Sequence, residues 1–320
     1  MKGRLSRLLG RGRGTVTVSD SIFGMVLLLP LVIWTLAVVG YPFLATIWMS
    51  FRNQTVPASP SEFVGLVNYV NLLADEPVRT ALGNSVVWTL GNAVVQVVLG
   101  YTAALLLNYP LRRSRFAQTV VVIPWIIPTI AMALTWRWML DATSGVVGYA
   151  LRGLGIVEQA PNLLGSLGTA MPTLIFLNSW RWFPFLAVVI LAALQNIPQE
   201  EYDAAAMDGA SFLRQFFDIS FPHLTPTLMV VGLLGTLLAF NTFDIIYMIT
   251  RGGPVTATTT LPVLVYKTAF ESYRMSKAST YAVVTILVMV LFAGLFLYGG
   301  RIVGWMGRMR LGSRHEGTER

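Results

Sequence analysis

Few side chains in this 320-residue sequence have the types and spacing for chemistry, and they fall in two places. Arg181 sits in an apolar run with Trp180, Trp182 and Phe185 around it. A guanidinium is a planar fork of donors suited to hydroxyls or an anionic group. The neighbouring rings offer faces of the kind that stack on a sugar. A second apolar run carries Asn241, Thr242, Asp244 and Tyr247. On a continuous helix, positions 241, 244 and 248 share one face with 247 adjacent. Asn241 and Asp244 then present donors and acceptors for hydroxyls one turn apart. The other place is the polar stretch 196–225, NIPQEEYDAAAMDGASFLRQFFDISFPHLT. Metal and nucleophile chemistry has little to build on. Zero cysteines exclude disulfides, thiolate zinc sites, iron–sulfur clusters and cysteine nucleophiles. Two histidines, His223 and His315, leave little for metal binding or general base work.

The elements that must position these residues follow from composition. Hydrophobic residues make up 55% of the chain, charged ones 12%, and the mean hydropathy is +0.64. A soluble domain carries about twice that charge, so the bilayer has to be the solvent. A helix crossing hydrocarbon needs about 20 mostly apolar residues. Six runs qualify, at 22–49, 81–107, 116–139, 167–194, 228–249 and 279–303. The first is too long for a signal-peptide core and shows no small-x-small cleavage site, so it reads as an anchor. The fold class is therefore all-α integral membrane with six transmembrane helices. A transmembrane domain spans 22–303 between tails at 1–21 and 304–320. No low-complexity tract or internal repeat stands out.

Basic residues set the orientation. Lys2, Arg4, Arg7, Arg11, Arg13, Arg112, Arg113, Arg115, Arg214, Arg301, Arg308, Arg310, Arg314 and Arg320 fall on one side, 14 in all. Arg52, Arg79, Arg152, Arg251, Lys267, Arg274 and Lys277 make seven on the other. Both termini are then cytoplasmic, and 51–80, 140–166 and 250–278 are extracytoplasmic loops. The net charge of +8 serves topology and contact with membrane lipids. The basic tails lack the interleaved aromatics of a nucleic-acid platform.

The stretch 196–225 then lies on the cytoplasmic face. Pro198 suits a helix start, and Glu200, Glu201 and Asp203 are expected in the first turn, where they complement the helix dipole. Ala204, Ala205 and Ala206 propagate the helix, Gly209 interrupts it, and Pro222 and Pro226 start the next span. The product is a small helix–turn–helix with an approachable alanine/glycine surface and exposed aromatics: a docking knob.

In this stretch Asp203-Ala204-Ala205, three residues, Gly209, nine residues, Ile219, one residue and Phe221-Pro222 resemble the coupling motif of ABC-importer permeases. The family form is Glu-Ala-Ala, x3, Gly, x9, Ile, x, Leu-Pro. Asp203 and Phe221 depart from it while keeping charge sign and hydrophobic class. Leu29-Pro30, Tyr41-Pro42 and Ser50-Phe51 resemble the first span of the maltose-type sugar permeases, and Gly65-Leu66-Val67-Asn68-Tyr69 their first external loop. Pro124, Trp136-Arg137-Trp138 and Phe183-Pro184-Phe185 are similar to their third and fourth spans. Phe243-Asp244-Ile245-Ile246-Tyr247 and Thr250-Arg251-Gly252-Gly253-Pro254 resemble the end of the fifth. The likeness covers about 22–303 and points to the permease subunit carrying the Gly-Gly-Pro signature.

That resemblance implies a type I importer permease fold with cytoplasmic coupling helices in a bacterial or archaeal cell membrane. It implies a second permease subunit, two cytoplasmic ABC ATPase subunits and an extracytoplasmic solute-binding protein as partners. It places Glu201, Asp203, Ala204, Ala205, Asp208 and Gly209 in a cleft of an ATPase. The chain has no G-x-x-x-x-G-K-[ST] segment, so it is expected to be no enzyme and to hold no cofactor; ATP and Mg belong to the partner ATPase. The family's sugar contacts match Trp180, Arg181, Phe185 and Asn241, and Asp244 and Tyr247 extend that set. The substrate is then a di- or oligosaccharide or polyol, or alternatively an anionic sugar or glycerol phosphate. Arg181 equally fits a buried arginine paired with an acid or backbone carbonyls. Asp244 could be that acid, although a depth mismatch of about 12 Å at 1.5 Å per residue opposes direct pairing. An ion-coupled secondary transporter would need a matching second half with its own ion site. A membrane enzyme built on Ser211 or Asp208-Gly209 would need partners that the sequence does not supply.

Overall fold

The computed structural model of the chain describes residues 18–54, 60–70, 72, 74–108 and 115–315. Of the basic residues that set the orientation, Lys2, Arg4, Arg7, Arg11, Arg13, Arg112, Arg113 and Arg320 lie outside these. Five single helices are long and apolar enough to span a membrane: Ile22–Ser50, Glu76–Asn108, Ala170–Leu194, Phe212–Phe240 and Met275–Gly299. A bent pair, Phe116–Ile126 and Thr129–Met139, makes a sixth if it is counted as one span.

The expected continuous third span is broken by 89°. Its cause is local: Ile127 precedes proline and is pushed out of the helical region. Pro128 has no N–H to continue the ladder and takes ψ 134°. The outer arm then lies against the short helix Asp244–Thr250.

The fifth span is displaced from 228–249. Its helix begins inside the cytoplasmic stretch at Phe212 and ends at Phe240. It accommodates Pro222 because a π turn at Phe216–Ser220 widens the backbone just ahead of the ring. The first span uses the same device, a π turn at Leu36–Gly40 ahead of Pro42. At the far end the Ala239 carbonyl accepts the Trp88 indole N–H (2.9 Å) and the Thr242 N–H (3.0 Å), not the Phe243 N–H of a continuing helix. The chain turns through 241–243 and restarts as Asp244–Thr250. Asn241 and Asp244 therefore do not share a helical face. The sixth span starts at Met275, and its helix continues to His315 through most of the expected C-terminal tail.

The bundle is centred on spans two and four. Association of helices in lipid rests on close packing and interhelical hydrogen bonds, because lipid tails are as apolar as leucine. Gly91 and Gly100 of span two face Ile175 and Leu186 of span four, and a Cβ there would meet side-chain atoms at 2.7 and 3.0 Å. A buried cluster around Trp88, Leu174, Leu177, Ile245 and Ile246 fills the middle of the bundle. A second, around Leu107, Ile190, Leu194, Ile219 and Leu224, fills the half next to the 196–225 stretch. A third, around Val78, Phe240, Leu261 and Tyr281, closes the opposite end. In the first span, the most apolar window has no buried residue, so this helix faces lipid or another subunit. The outer loops are short and braced. Arg52–Asn53 pairs antiparallel with Glu62–Phe63, and Gln54 exchanges hydrogen bonds with Ser276 (2.7 and 3.0 Å).

Candidate functional site

The knob at 196–225 is built as two short helices about a glycine. Helix Gln199–Met207 starts directly after Pro198, with Glu200 and Glu201 in its first turn. Asp203 lies one turn further along than expected and accepts a hydrogen bond from Gln199 Nε2 (3.1 Å). The helix ends in a Schellman turn: the Ala210 N–H donates to Ala205 O (2.9 Å) and the Gly209 N–H to Ala206 O (3.0 Å). That turn needs a left-handed residue, and Gly209 supplies φ +73°. Ser211 then caps the next helix by accepting from the Arg214 N–H (3.4 Å), so its hydroxyl serves backbone geometry.

One face of the knob is held by this chain. The Tyr202 and Ser220 hydroxyls share a hydrogen bond (2.9 Å), and Tyr202 and Ala205 pack on the core around Ile190 and Leu194. His223 lies with Nδ1 2.9 Å from Ile219 O and Nε2 3.6 Å from a Glu201 carboxylate oxygen. This pairing was not legible as spacing, because it joins two helices across the turn. The other face is open: Asp203, Ala204, Asp208 and Gly209 are exposed, Met207 is 89% exposed, and Phe212, Leu213 and Phe217 stand out of the surface. The six expected coupling residues thus divide. Glu201 and Ala205 lean toward the chain itself, and the other four face outward.

Within the membrane, a polar network fastens span four to span two. Asn92 is fully buried, and its Oδ1 accepts from Asn178 Nδ2 (2.6 Å), Ser179 Oγ (3.2 Å) and Gln96 Nε2 (3.3 Å). Its own amide donates to Trp88 O (2.8 Å). These residues escaped the sequence reading, although Asn92 and Gln96 stand four apart within an apolar run, a pattern that marks one polar helix face. Asn92→Ala strips the acceptor from two buried donors. We expect a loss of about 1–2 kcal/mol, read as a fall of roughly 2–4 °C in the Tm of the detergent-solubilised chain.

The network presents Trp180 and Arg181 on the adjoining turn. Trp180 packs edge-on against Trp136 (5.6 Å) and against the central core, as do Phe243 and Tyr247. Arg181 is half-buried, its guanidinium lies over Trp182 (5.2 Å), and its Nε is buried with no hydrogen-bond partner. Among the described residues no carboxylate stands within 4.0 Å of it. Asp244 is nevertheless near enough for its charge to act on Arg181, because the break at 241–243 gives Asp244 a separate backbone. Phe185 continues the Arg181 face, stacking on Trp125 (5.8 Å) and edge-on to Trp182 (6.4 Å). Trp180 and Phe185, expected together, are apart: the first belongs to the core and the second lies one turn toward the cytoplasm. Asn241 and Asp244 are exposed. Irregular backbone and a free carboxylate at this depth belong beside water or protein, not lipid. Tyr247 donates to a Glu271 carboxylate oxygen (2.9 Å). Among the described residues no three His, Asp or Glu side chains group as metal ligands would.

Two acids outside the spans carry the outer end. Asp141 accepts from the hydroxyls and amides of Thr143 and Ser144, which hold its carboxyl well below the usual carboxylate range. Asp75 accepts from Lys277 Nζ and Tyr281 OH, each at 2.6 Å. Burial acts to raise the Asp75 carboxyl, but these two bonds and the charges of Lys277 and Arg274 hold it below its ordinary value of 3.8. A depressed carboxyl contributes stability above its unfolded value, and that stability is lost as pH falls through the folded one. The Tm should therefore begin to fall as the pH drops toward the ordinary value of 3.8 and go on falling through the lower folded one. Asp75→Asn should lower it at neutral pH and flatten that part of the profile, which a thermal melt at graded pH would show.

With this geometry in place, comparison with known proteins identifies the class. Residues 96–302 match the family described as binding-protein-dependent transport system inner membrane component, and the chain belongs to it. It is thus the permease of a binding-protein-dependent ABC importer: a multi-pass inner membrane protein, non-catalytic, in a family whose permease subunits carry no cofactor. The chain is 34% identical over 285 residues to the trehalose/maltose transport system permease protein MalF of Thermococcus litoralis, covering 88% of this chain and 95% of that one. It is 31% identical over 281 residues to the sulfoquinovosyl glycerol transport system permease protein SmoG of Agrobacterium fabrum, covering 88% and 91%. Its fold is like that of a chain in the crystal structure of a bacterial ABC transporter that imports the acidic polysaccharide alginate, with TM-score 0.73, 22% identity and coverage of 89% and 97%.

Proposed function

We propose that the chain is one of two pore subunits of an ATP-driven carbohydrate importer, with a di- or oligosaccharide or a polyol as substrate. The observation that carries this reading is the break in span five. It exposes Asn241 and Asp244 within reach of the charge of Arg181, whose Nε has no protein partner. Hydroxyls would satisfy these groups, and Trp182 and Phe185 supply apolar ring faces. Both relatives described above are named for glycosidic solutes, which supports the same class. A second permease pairs with this chain, a solute-binding protein delivers substrate to the outer face, and both termini lie in the cytoplasm. Two ATPase subunits work from that side, and one of them receives the outward face of the Asp203–Gly209 knob.

The unpaired Arg181 also favours a second reading, an anionic glycoside or glycerol phosphate, since a guanidinium binds an oxyanion through paired donors. Affinity purification in mild detergent with mass spectrometry of what is retained tests the assembly. Recovery of a second six-span permease, a P-loop ATPase and a binding protein is expected, and screening that binding protein against neutral and anionic saccharides decides between the substrates. A homo-oligomer without ATPase would overturn the proposal.

A further inference from the structure

Next to Asp244, one turn along its short helix, four aromatic side chains gather where the core meets the surface, Phe243, Tyr247 and Tyr266 half-buried and Phe270 exposed. Phe243 stacks on Tyr247 (4.9 Å, 23°) and leans on Tyr266 (4.7 Å), Tyr247 meets Tyr266 at 4.7 Å, and Tyr266 meets Phe270 at 5.0 Å. Two of these rings come from beyond the Gly-Gly-Pro turn, on the helix Leu261–Tyr266 and the π turn Lys267–Glu271 that follows it. The turn, closed by the Ser272 N–H donating to Lys267 O (2.9 Å), is wider than an α turn, a local distortion often found at functional positions. It presents Phe270, 59% exposed, next to the exposed Glu271. One Glu271 oxygen accepts the Tyr247 phenol, which orients the carboxylate.

Rings with an oriented carboxylate beside them suit one ligand chemistry. A pyranose lays its C–H face on an aromatic ring and offers neighbouring hydroxyls as donors to an acid. A lipid-facing surface would not carry an exposed carboxylate held by a phenol. We propose that Tyr247, Tyr266, Phe270 and Glu271 form an outer saccharide subsite, which takes a sugar unit of an entering oligosaccharide while another unit reaches Asn241 and Asp244. This rests on the saccharide reading above and adds to it a second contact point. Asp244 and Tyr247 lie about 4.5 Å apart along the helix at 1.5 Å per residue, so the two subsites are contiguous.

Uptake of maltose, trehalose and maltotriose by the whole importer in proteoliposomes, supplied with its binding protein, tests the subsite. Phe270→Ala and Glu271→Gln are expected to raise the KM for all three sugars about tenfold, since a disaccharide already spans both subsites, with kcat and subunit recovery unchanged. Equal KM for wild type and both variants on all three sugars would overturn the subsite while leaving the importer reading intact. Loss of the second permease from either variant would show that this face is a subunit interface and would also overturn it. Uptake of glycerol phosphate but of none of the three sugars by the wild type would remove the saccharide reading and the subsite together.

Discussion

Gly209→Leu should leave the importer folded in the membrane and abolish uptake, by about 100-fold or more. The residue closes the Schellman turn at φ +73°, where an L side chain is strained by about 1–2 kcal/mol. That strain falls on an exposed turn outside the spans, so the transmembrane bundle keeps its packing. A Cβ at 209 meets nothing within 4 Å in this chain. Apart from that backbone strain nothing in the chain demands a small residue there, and under the proposed docking the leucine would project into the space the ATPase takes. The flanking surface of Asp203, Ala204, Met207 and Asp208 would be held off by the bulk. Gly209→Asn separates the two effects, because asparagine tolerates the left-handed conformation and adds less volume. Its uptake should fall between wild type and Gly209→Leu. Uptake together with co-purification of the ATPase is the measurement, and normal uptake by Gly209→Leu would remove the docking role.

Arg181→Ala should weaken substrate-dependent uptake about tenfold or more while the complex still assembles. A central arginine costs about 2.5–3.5 kcal/mol on insertion scales, so its removal eases membrane insertion. Removal would strand no acid, since among the described residues no carboxylate lies within 4.0 Å. What disappears is a donor with no protein partner and the cation resting on Trp182. The interface with span two should persist, because Asn178 and Ser179 still bind Asn92. Uptake over a range of substrate concentrations, with a Tm in parallel, reads both effects. Uptake lost together with assembly and a lowered Tm would make Arg181 a structural residue, and unchanged uptake by an intact complex would remove its substrate role.

Much of this was legible before folding. Spans two, four and six were placed to within a few residues, because an apolar run of that length has one use in a chain with so little charge. The knob was legible because its cues are local: a proline start, acids in the first turn, alanines, then a glycine. The errors came where backbone behaviour depended on a distant partner or on proline. The broken third span was half-visible in Pro124 and Pro128, but hydropathy has no way to register a corner. The early start of span five was hidden because Pro222 reads as a beginning, whereas a π turn lets the helix run through it. The His223–Glu201 pairing and the Asn92 network join residues from different elements, and no spacing rule reaches across them.

Sequence alone determined the solvent, the apolar runs that serve as candidate spans, the orientation expected from basic residues and the chemistry of the knob. These follow from composition and from contacts within a few residues, which any chain of this sequence must make. Tertiary structure decided the site. Trp88 reaches from span two to the Ala239 carbonyl, at the point where the helix stops. The break there separates Asn241 from Asp244 and places Tyr247 beside Tyr266 and Glu271. A helix end braced by a side chain about 150 residues away is invisible to local propensity, because local rules count neighbours along the chain and this donor is a neighbour only in space.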